Sequence, residues 1–344
     1  MSTVLDKVQA LAKGRKFELK RGDFIFERIL AKTDKFLVYD TQSKKKPLYT
    51  IPEEKFEEEW VHSTVIRLTK LPNDENEIKA LFDEFEIRKS INYEICPHLL
   101  TFHDQGLIQW NGNIYYATRY DDPCRDFDYW INVDHQGLEI EALDCFRLAR
   151  GCLEAFAYLE ENGYVLTQFD HKNLYVGSFS EDRGNFFRIM FKGHKDKNAP
   201  FTTFEKRHLF SPPEKDGKNI YKSYSFSVGL MILWAIYSTN NKQSEFPTDI
   251  HSNTNKLSDL IKNAVDICYK EGKEKPEHKD LFKVFLEDLL EPNVEKRRTA
   301  KELLTYKWII ESDKLDYEEY QREVEENERA KQKEKEEEEK NKFN

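Results

Sequence analysis

The sequence predicts an α+β fold in which a small β-rich lobe carrying one helix precedes a larger helical lobe and a charged tail. Three observations carry this. Short β-type runs occupy the stretch from Phe24 to Tyr120, apolar helical periodicity dominates after about residue 125, and residues 316–344 hold 12 acidic and 7 basic side chains with no Gly or Pro. The boundaries that follow are an extension over 1–22, lobes over 23–122 and 123–312, and a helical or disordered tail over 313–344.

In chain order, residues 3–12 place Val4, Leu5, Val8 and Leu11 on one face of a short leading helix. FIFERIL and KFLVYD, separated by AKTD, read as a hairpin. A polar insertion spans 43–60, and VHSTVIRLTK is a further strand. Residues 75–92 read as a helix with Ile78, Leu81, Phe82, Phe85 and Ile91 facing a core. LLTFHDQGLIQ and GNIYYATRY are strands joined by an Asn-Gly turn at 111–112. ALDCFRLARGCLEAFAYLEENG is an amphipathic helix stopped by Gly163. The segment 164–214 reads as loop, followed by helices over about 222–238, 256–271, 278–290 and 299–310. In the tail, Glu325–Arg329 and Glu336–Lys340 are i,i+4 pairs on a solvated helix or disordered chain.

The 344 residues and the 24 Phe and 17 Tyr suffice for one large domain or two lobes with a sizeable core. A net charge of −10 argues against general attraction to nucleic acid or anionic lipid. Five cysteines with no CxxC pair fit a reducing compartment rather than a disulfide framework or a zinc site. The first residues lack a signal-peptide core, and no apolar run reaches the roughly 20 residues of a membrane span. The longest, Val228 to Tyr237, reads as a buried helix. These features lead us to expect a soluble, cytoplasmic protein.

Four motifs give the chain a more specific character. EPNVEKRRTAKELLTYKWI (291–309) places Arg297 just before a helix start at Thr299, with Glu302 as its capping-box partner. Ser211-Pro212-Pro213-Glu214 lies upstream. KSYSFSVGLMILWAIYS (222–238) leads into an apolar helix. AFAYLEENGYVLTQFDHKNLYVG combines a helix, a glycine, a polar loop ending in Asn173 and an apolar strand. In this order and spacing the motifs resemble those of eukaryotic protein kinases over nearly all of residues 23–310. The resemblance implies a bilobal protein-kinase-like fold. It also implies a buried pair between Arg297 and Glu214, the latter standing in the Ala-Pro-Glu motif with Pro212 in place of Ala. The kinase Asp before the apolar helix is replaced by Lys222, and its Gly by Ser227.

The resemblance also locates the reactive positions, and they are altered. Phosphoryl transfer needs glycines over the phosphates, a lysine held by a glutamate, a base, and metal ligands. The glycine-loop positions fall on Ala31, Thr33 and Phe36. The strand lysine falls on Arg67, with Glu86 19 residues later as its partner on the helix; a surface arginine at 67, or an alignment near Pro52, are the other readings. Arginine is a poor substitute for a point-charge lysine at phosphates. The His-Arg-Asp positions fall on Leu166, Thr167 and Gln168, and glutamine accepts no proton at neutral pH. Gly193 matches the Asp-Phe-Gly glycine, leaving Phe191 at the metal aspartate and Lys192 at the Phe. Phenylalanine cannot ligate magnesium. Asp170, two residues after Gln168, reads as a loop cap, and Asn173 alone survives as a ligand type.

The expectation is therefore a pseudokinase, with no cofactor and no metal. It would act as a scaffold or allosteric regulator on a protein partner such as an active kinase or other enzyme, with no role for nucleic acid or membrane. Arg67, Glu86, Asn173, Gly193, Glu214 and Arg297 are its structural residues. The alternative is an unconventional phosphotransferase using Asp170 as base and a displaced lysine, Lys32 or Lys35. A third reading is an unrelated helical protein, in which Glu214 and Arg297 do not meet.

Overall fold

The computed structural model describes residues 8, 10–13, 17, 20, 22, 24–32, 36–43, 62–110, 112–121, 125–135, 138–166, 169–178, 185–195, 209–214, 219–247, 249–250, 253–269 and 276–342. Its strands are β1 (Phe24–Lys32), β2 (Phe36–Ser43), β3 (His62–Lys70), β4 (Phe102–Trp110), β5 (Asn113–Asp121), β6 (Arg125–Asp126), β7 (Val165–Leu166), β8 (Leu174–Ser178), β9 (Asn185–Ile189) and β10 (Gly193–His194). Its principal helices are α1 (Glu75–Lys89), α2 (Ala142–Glu161), α3 (Ile220–Thr239), α4 (Leu257–Cys268), α5 (Pro276–Leu289), α6 (Ala300–Leu303) and α7 (Lys307–Lys342). The architecture is mixed α+β, and the chain divides into two compact units. One holds residues 1–124, 162–168 and 188–198; the other holds 125–161, 169–187 and 199–344. The first break lies beside the expected boundary at 122/123, but two later segments return to the first unit.

The first unit is built on an antiparallel sheet of order β1-β2-β3-β5-β4. The β-branched run of β3 makes it central, hydrogen-bonded on both edges, and its side chains alternate between two layers. Ile66 and Leu68 pack with Phe24, Ile108 and Ala117 on one face. The other face carries Tyr116, which packs with Val8, Leu71, Ile78 and Phe82, so α1 covers that layer. Val8 and Leu11 of the leading segment pack there as well, while Val4 and Leu5 lie outside the described residues.

Asp74 caps α1, its carboxylate accepting the Asn76 and Glu77 amides at 2.9 and 3.1 Å. The helix ends at Lys89, earlier than the expected 92, and Ser90 closes it. Gly112, with φ +76°, makes the β4–β5 turn in a conformation open to glycine.

In the second unit α2 stops at Glu161, and Gly163 takes φ +70° as the expected glycine stop. α3 is buried along nearly its whole length, which explains its apolar residues on every side. The segment 164–214, expected to be loop apart from an apolar strand after Asn173, contains that strand as β8 and also β7, β9 and β10, of which β7 and β10 belong to the first unit. Thr299 and Glu302 form the expected capping box. The expected single helix over 299–310 is broken, however, into α6 and the 36-residue α7, about 54 Å long.

The start of the tail is not solvated. Arg147 on α2 donates to Asp316 at 2.7 Å and to Glu319 at 2.9 Å, and Asp316 is buried. Further on, the expected Arg329–Glu325 pair forms at 3.2 Å on an exposed surface. The side chains of Glu336 and Lys340 lie outside the described residues. Among the described residues no helix is long and apolar enough to cross a membrane.

Candidate functional site

The expected site residues fall into both units. Thr33, Lys35, Thr167, Gln168 and the insertion over 44–60 lie outside the described residues. Of the glycine-loop positions, Ala31 is a ladder residue opposite Val38, and Lys32 lies opposite Leu37. Phe36 pairs with Thr69. Strand pairing, with a register shift between Ile29 and Ala31, thus occupies backbone positions where a phosphate-binding loop needs glycine.

Arg67, expected at the strand-lysine position, sits on β3. It is half-buried, opposite Thr118, and its guanidinium reaches the Met190 sulfur at 3.9 Å. The expected ion pair with Glu86 does not form: Glu86 is exposed on α1. The helical period explains this. Ile78, Phe82 and Phe85 face inward, which directs position 86 outward and brings Arg88 into the core.

Arg88 takes the bracing role instead. It is 3 % exposed, pairs with Glu84 at 2.8 Å, and donates from Nε to the Phe191 carbonyl at 3.1 Å. Burial works against its charge, but Glu84 and the surrounding tyrosines more than offset this and hold its pKa above the ordinary arginine range.

Phe191 is 1 % exposed and meets Tyr164 edge-on at 6.0 Å. Phe191, expected at the metal-aspartate position, is therefore core packing, tied to α1 through its own backbone. Gly193 pairs with Leu166, and a Cβ there would lie 1.9 Å from the Val165 carbonyl oxygen, so close backbone approach requires glycine. Lys192 beside it is half-buried.

In the second unit Asp170 and Asn173 close one turn reciprocally. The Asp170 carboxylate accepts the Lys172 amide at 2.8 Å, and the Asn173 side-chain oxygen accepts the Asp170 amide at 2.8 Å. The expected loop cap is present, and the Asn173 oxygen that could bind a metal is engaged in it. His171 Nε2 lies 3.4 Å from Asp128, whose carboxyl pKa is raised by burial, with Asp126 and Asp170 adding to the effect.

Glu214 and Arg297 meet. Arg297 is fully buried and donates to both carboxylate oxygens at 2.8 and 3.2 Å. It also donates to the Glu291, Lys222 and Pro292 carbonyls, and it lies over the Phe226 ring at 4.6 Å. Burial raises the Glu214 pKa, but the Arg297 hydrogen bonds and charge outweigh it and set the net direction downward.

Several buried charges were not anticipated. Arg119 and Asp104 form a bidentate pair at 2.9 and 3.0 Å. Asp121 accepts His103 at 2.5 Å and lies 3.7 Å from Arg188. Only Arg88 had a usable sequence signal, its place on the inward face of α1. Among the described residues no group of three or more His, Cys, Asp or Glu side chains is placed to hold a metal ion. Compared with known proteins, the chain matches no protein-family model and no curated protein.

Proposed function

We propose that the chain is a degenerate protein-kinase-like protein that does not transfer phosphate and acts as a scaffold or allosteric regulator by binding another protein. The observation that carries this reading is Phe191. At the position where a kinase places its metal-binding aspartate, this side chain is part of the core, and its carbonyl is engaged by Arg88. Magnesium is held by carboxylate oxygens, and a buried phenyl ring supplies none. The ladder pairing of Ala31, the outward Glu86 and the use of Asn173 as a cap favour the same conclusion. The Arg297–Glu214 pair supports the kinase-like part of the reading, because its role is structural and does not depend on catalysis.

A thermal-shift titration of the full chain with ATP and magnesium tests the proposal. No shift is expected up to millimolar nucleotide, whereas a metal-dependent shift overturns it. Radiolabel transfer from ATP is the second arm. Transfer that disappears in Asp170→Asn would establish the phosphotransferase alternative, although the capping bonds of Asp170 leave that side chain a structural role.

A further inference from the structure

The helix α7 has two unlike faces. Its inner face is docked on the second unit. Trp308 packs against Phe282 and Phe285 of α5, with ring centroids 4.6 and 4.7 Å away, and Ser312 and Asp316 are buried. Arg147 and Arg150 on α2 take up Asp313, Asp316 and Glu319.

The outer face carries Ile310, Tyr317 and Val324, each seven residues from the next. Seven residues fall about 20° short of two full turns, so the three share one row about 21 Å long. Ile310 and Tyr317 are each 47 % exposed, and Val324 is half-buried. The residue after each is a glutamate. Glu311, Glu318 and Glu325 thus form a second row beside the first, about 100° round the helix. Residues 311–328 hold nine acidic side chains against Lys314 and Arg322. Glu311 and Glu325 meet Lys307 and Arg329 within the helix. Glu318, Glu323, Glu326 and Glu328 are exposed and, among the described residues, have no cationic partner. A purely solvated helix gains nothing from the apolar row. Ile, Tyr and Val are weaker helix formers than the Glu, Lys and Arg around them, and here they leave apolar area in water.

We propose that this outer face of α7 is a docking surface for a basic amphipathic helix of another protein. The partner's apolar row lies along Ile310, Tyr317 and Val324, and its lysines or arginines meet Glu318, Glu325 and Glu328. Charge selects this occupant. A second copy of the chain would set the same acidic excess against itself, and an anionic membrane surface carries the same sign. Opposite charges steer the encounter, and the apolar row supplies the buried area. The docking role rests on the protein-binding part of the proposed function. The titration with ATP and magnesium tests the other part, so either can fail alone.

The test uses the full chain and a fluorescent three-heptad peptide with leucine at positions a and d and lysine at e and g. One control peptide has the same residues in scrambled order, and the other has glutamate in place of every lysine. Anisotropy at about 0.15 M salt should show the patterned lysine peptide binding at least about tenfold more tightly than either control. Ile310→Ser combined with Val324→Ser leaves every charge in place and should weaken that binding about tenfold or more. No binding of the patterned peptide, equal binding of the scrambled one, or binding that survives the double substitution overturns the proposal. So does a dimer of the free chain, or co-sedimentation with phosphatidylserine vesicles, that the double substitution abolishes. The three peptides on the wild-type chain decide the question even where the double variant folds poorly.

Discussion

Replacing Arg297 with methionine keeps much of the side-chain volume but leaves the Glu214 carboxylate, only 10 % exposed, without its counter-charge. The carbonyls of Glu291, Lys222 and Pro292 lose their donors at the same time. Removing one partner of a buried pair costs about 3–5 kcal/mol, because the remaining charge is stranded. At ~2–4 °C per kcal/mol for a domain of this class, the second unit should melt about 6–20 °C lower by calorimetry. Arg297→Lys should fall between, since an ammonium cannot reproduce a fork that serves one carboxylate and three carbonyls. Removing both charges, as Arg297→Met with Glu214→Leu, should recover most of the loss.

Acid supplies an independent check on the same pair. The folded Glu214 pKa lies below its free value of 4.5, so the stabilisation is fully present above that value and is lost as pH falls through the depressed one. The gap between wild type and Arg297→Met should therefore narrow as pH falls below 4.5. A methionine variant that melts within about 2 °C of wild type at neutral pH, or a gap that widens in acid, refutes the reasoning.

Two further outcomes concern the first unit. Gly193→Ala forces a Cβ into the Val165 carbonyl, so β7 and β10 must separate. Amide exchange at Leu166 and His194 should accelerate with a loss of about 1–3 kcal/mol, and unchanged protection would contradict the geometry. Arg88→Met strands Glu84 and the Phe191 carbonyl, costing about 2–4 kcal/mol. Hydrogen exchange should rise in α1 and around Phe191 together, and an effect confined to α1 would remove the proposed link between them.

Long elements were legible because their apolar patterns are local. The β1–β2 hairpin, β3, α1, α2 and α3 all follow from period and turn chemistry. Within 164–214, β8 is legible as the apolar run after Asn173, whereas β7, β9 and β10 are not. A strand such as Gly193–His194 exists only because Leu166 and Val165 meet it, and no local pattern encodes that meeting. The break between α6 and α7 was missed for a related reason. Capping at Thr299 marked the first start, but the sequence has no proline or glycine to mark the stop. In the tail, the Arg147 and Arg150 contacts to Asp316, Glu319 and Asp313 join residues far apart in sequence, so a uniformly charged composition hid a docked first portion.

The site was read correctly where the pattern fixed a partner and less well where only an interval did. Arg297 and Glu214 were paired through two motifs, each with its own local signature, and the pair forms. Arg67 and Glu86 are matched only by their interval along the chain, which says nothing of the helix face that position 86 occupies. Phe85 is buried, and the next residue is turned by about 100°, so the exposure of Glu86 was implicit in the apolar spacing of α1. The same spacing brings Arg88 inward, where its fork meets a carboxylate and a carbonyl at once. Periodicity should therefore outrank interval when a catalytic pair is assigned by alignment. In this chain that rule moves α1's inward charge from a glutamate to an arginine and changes the expected role from pairing with Arg67 to anchoring backbone.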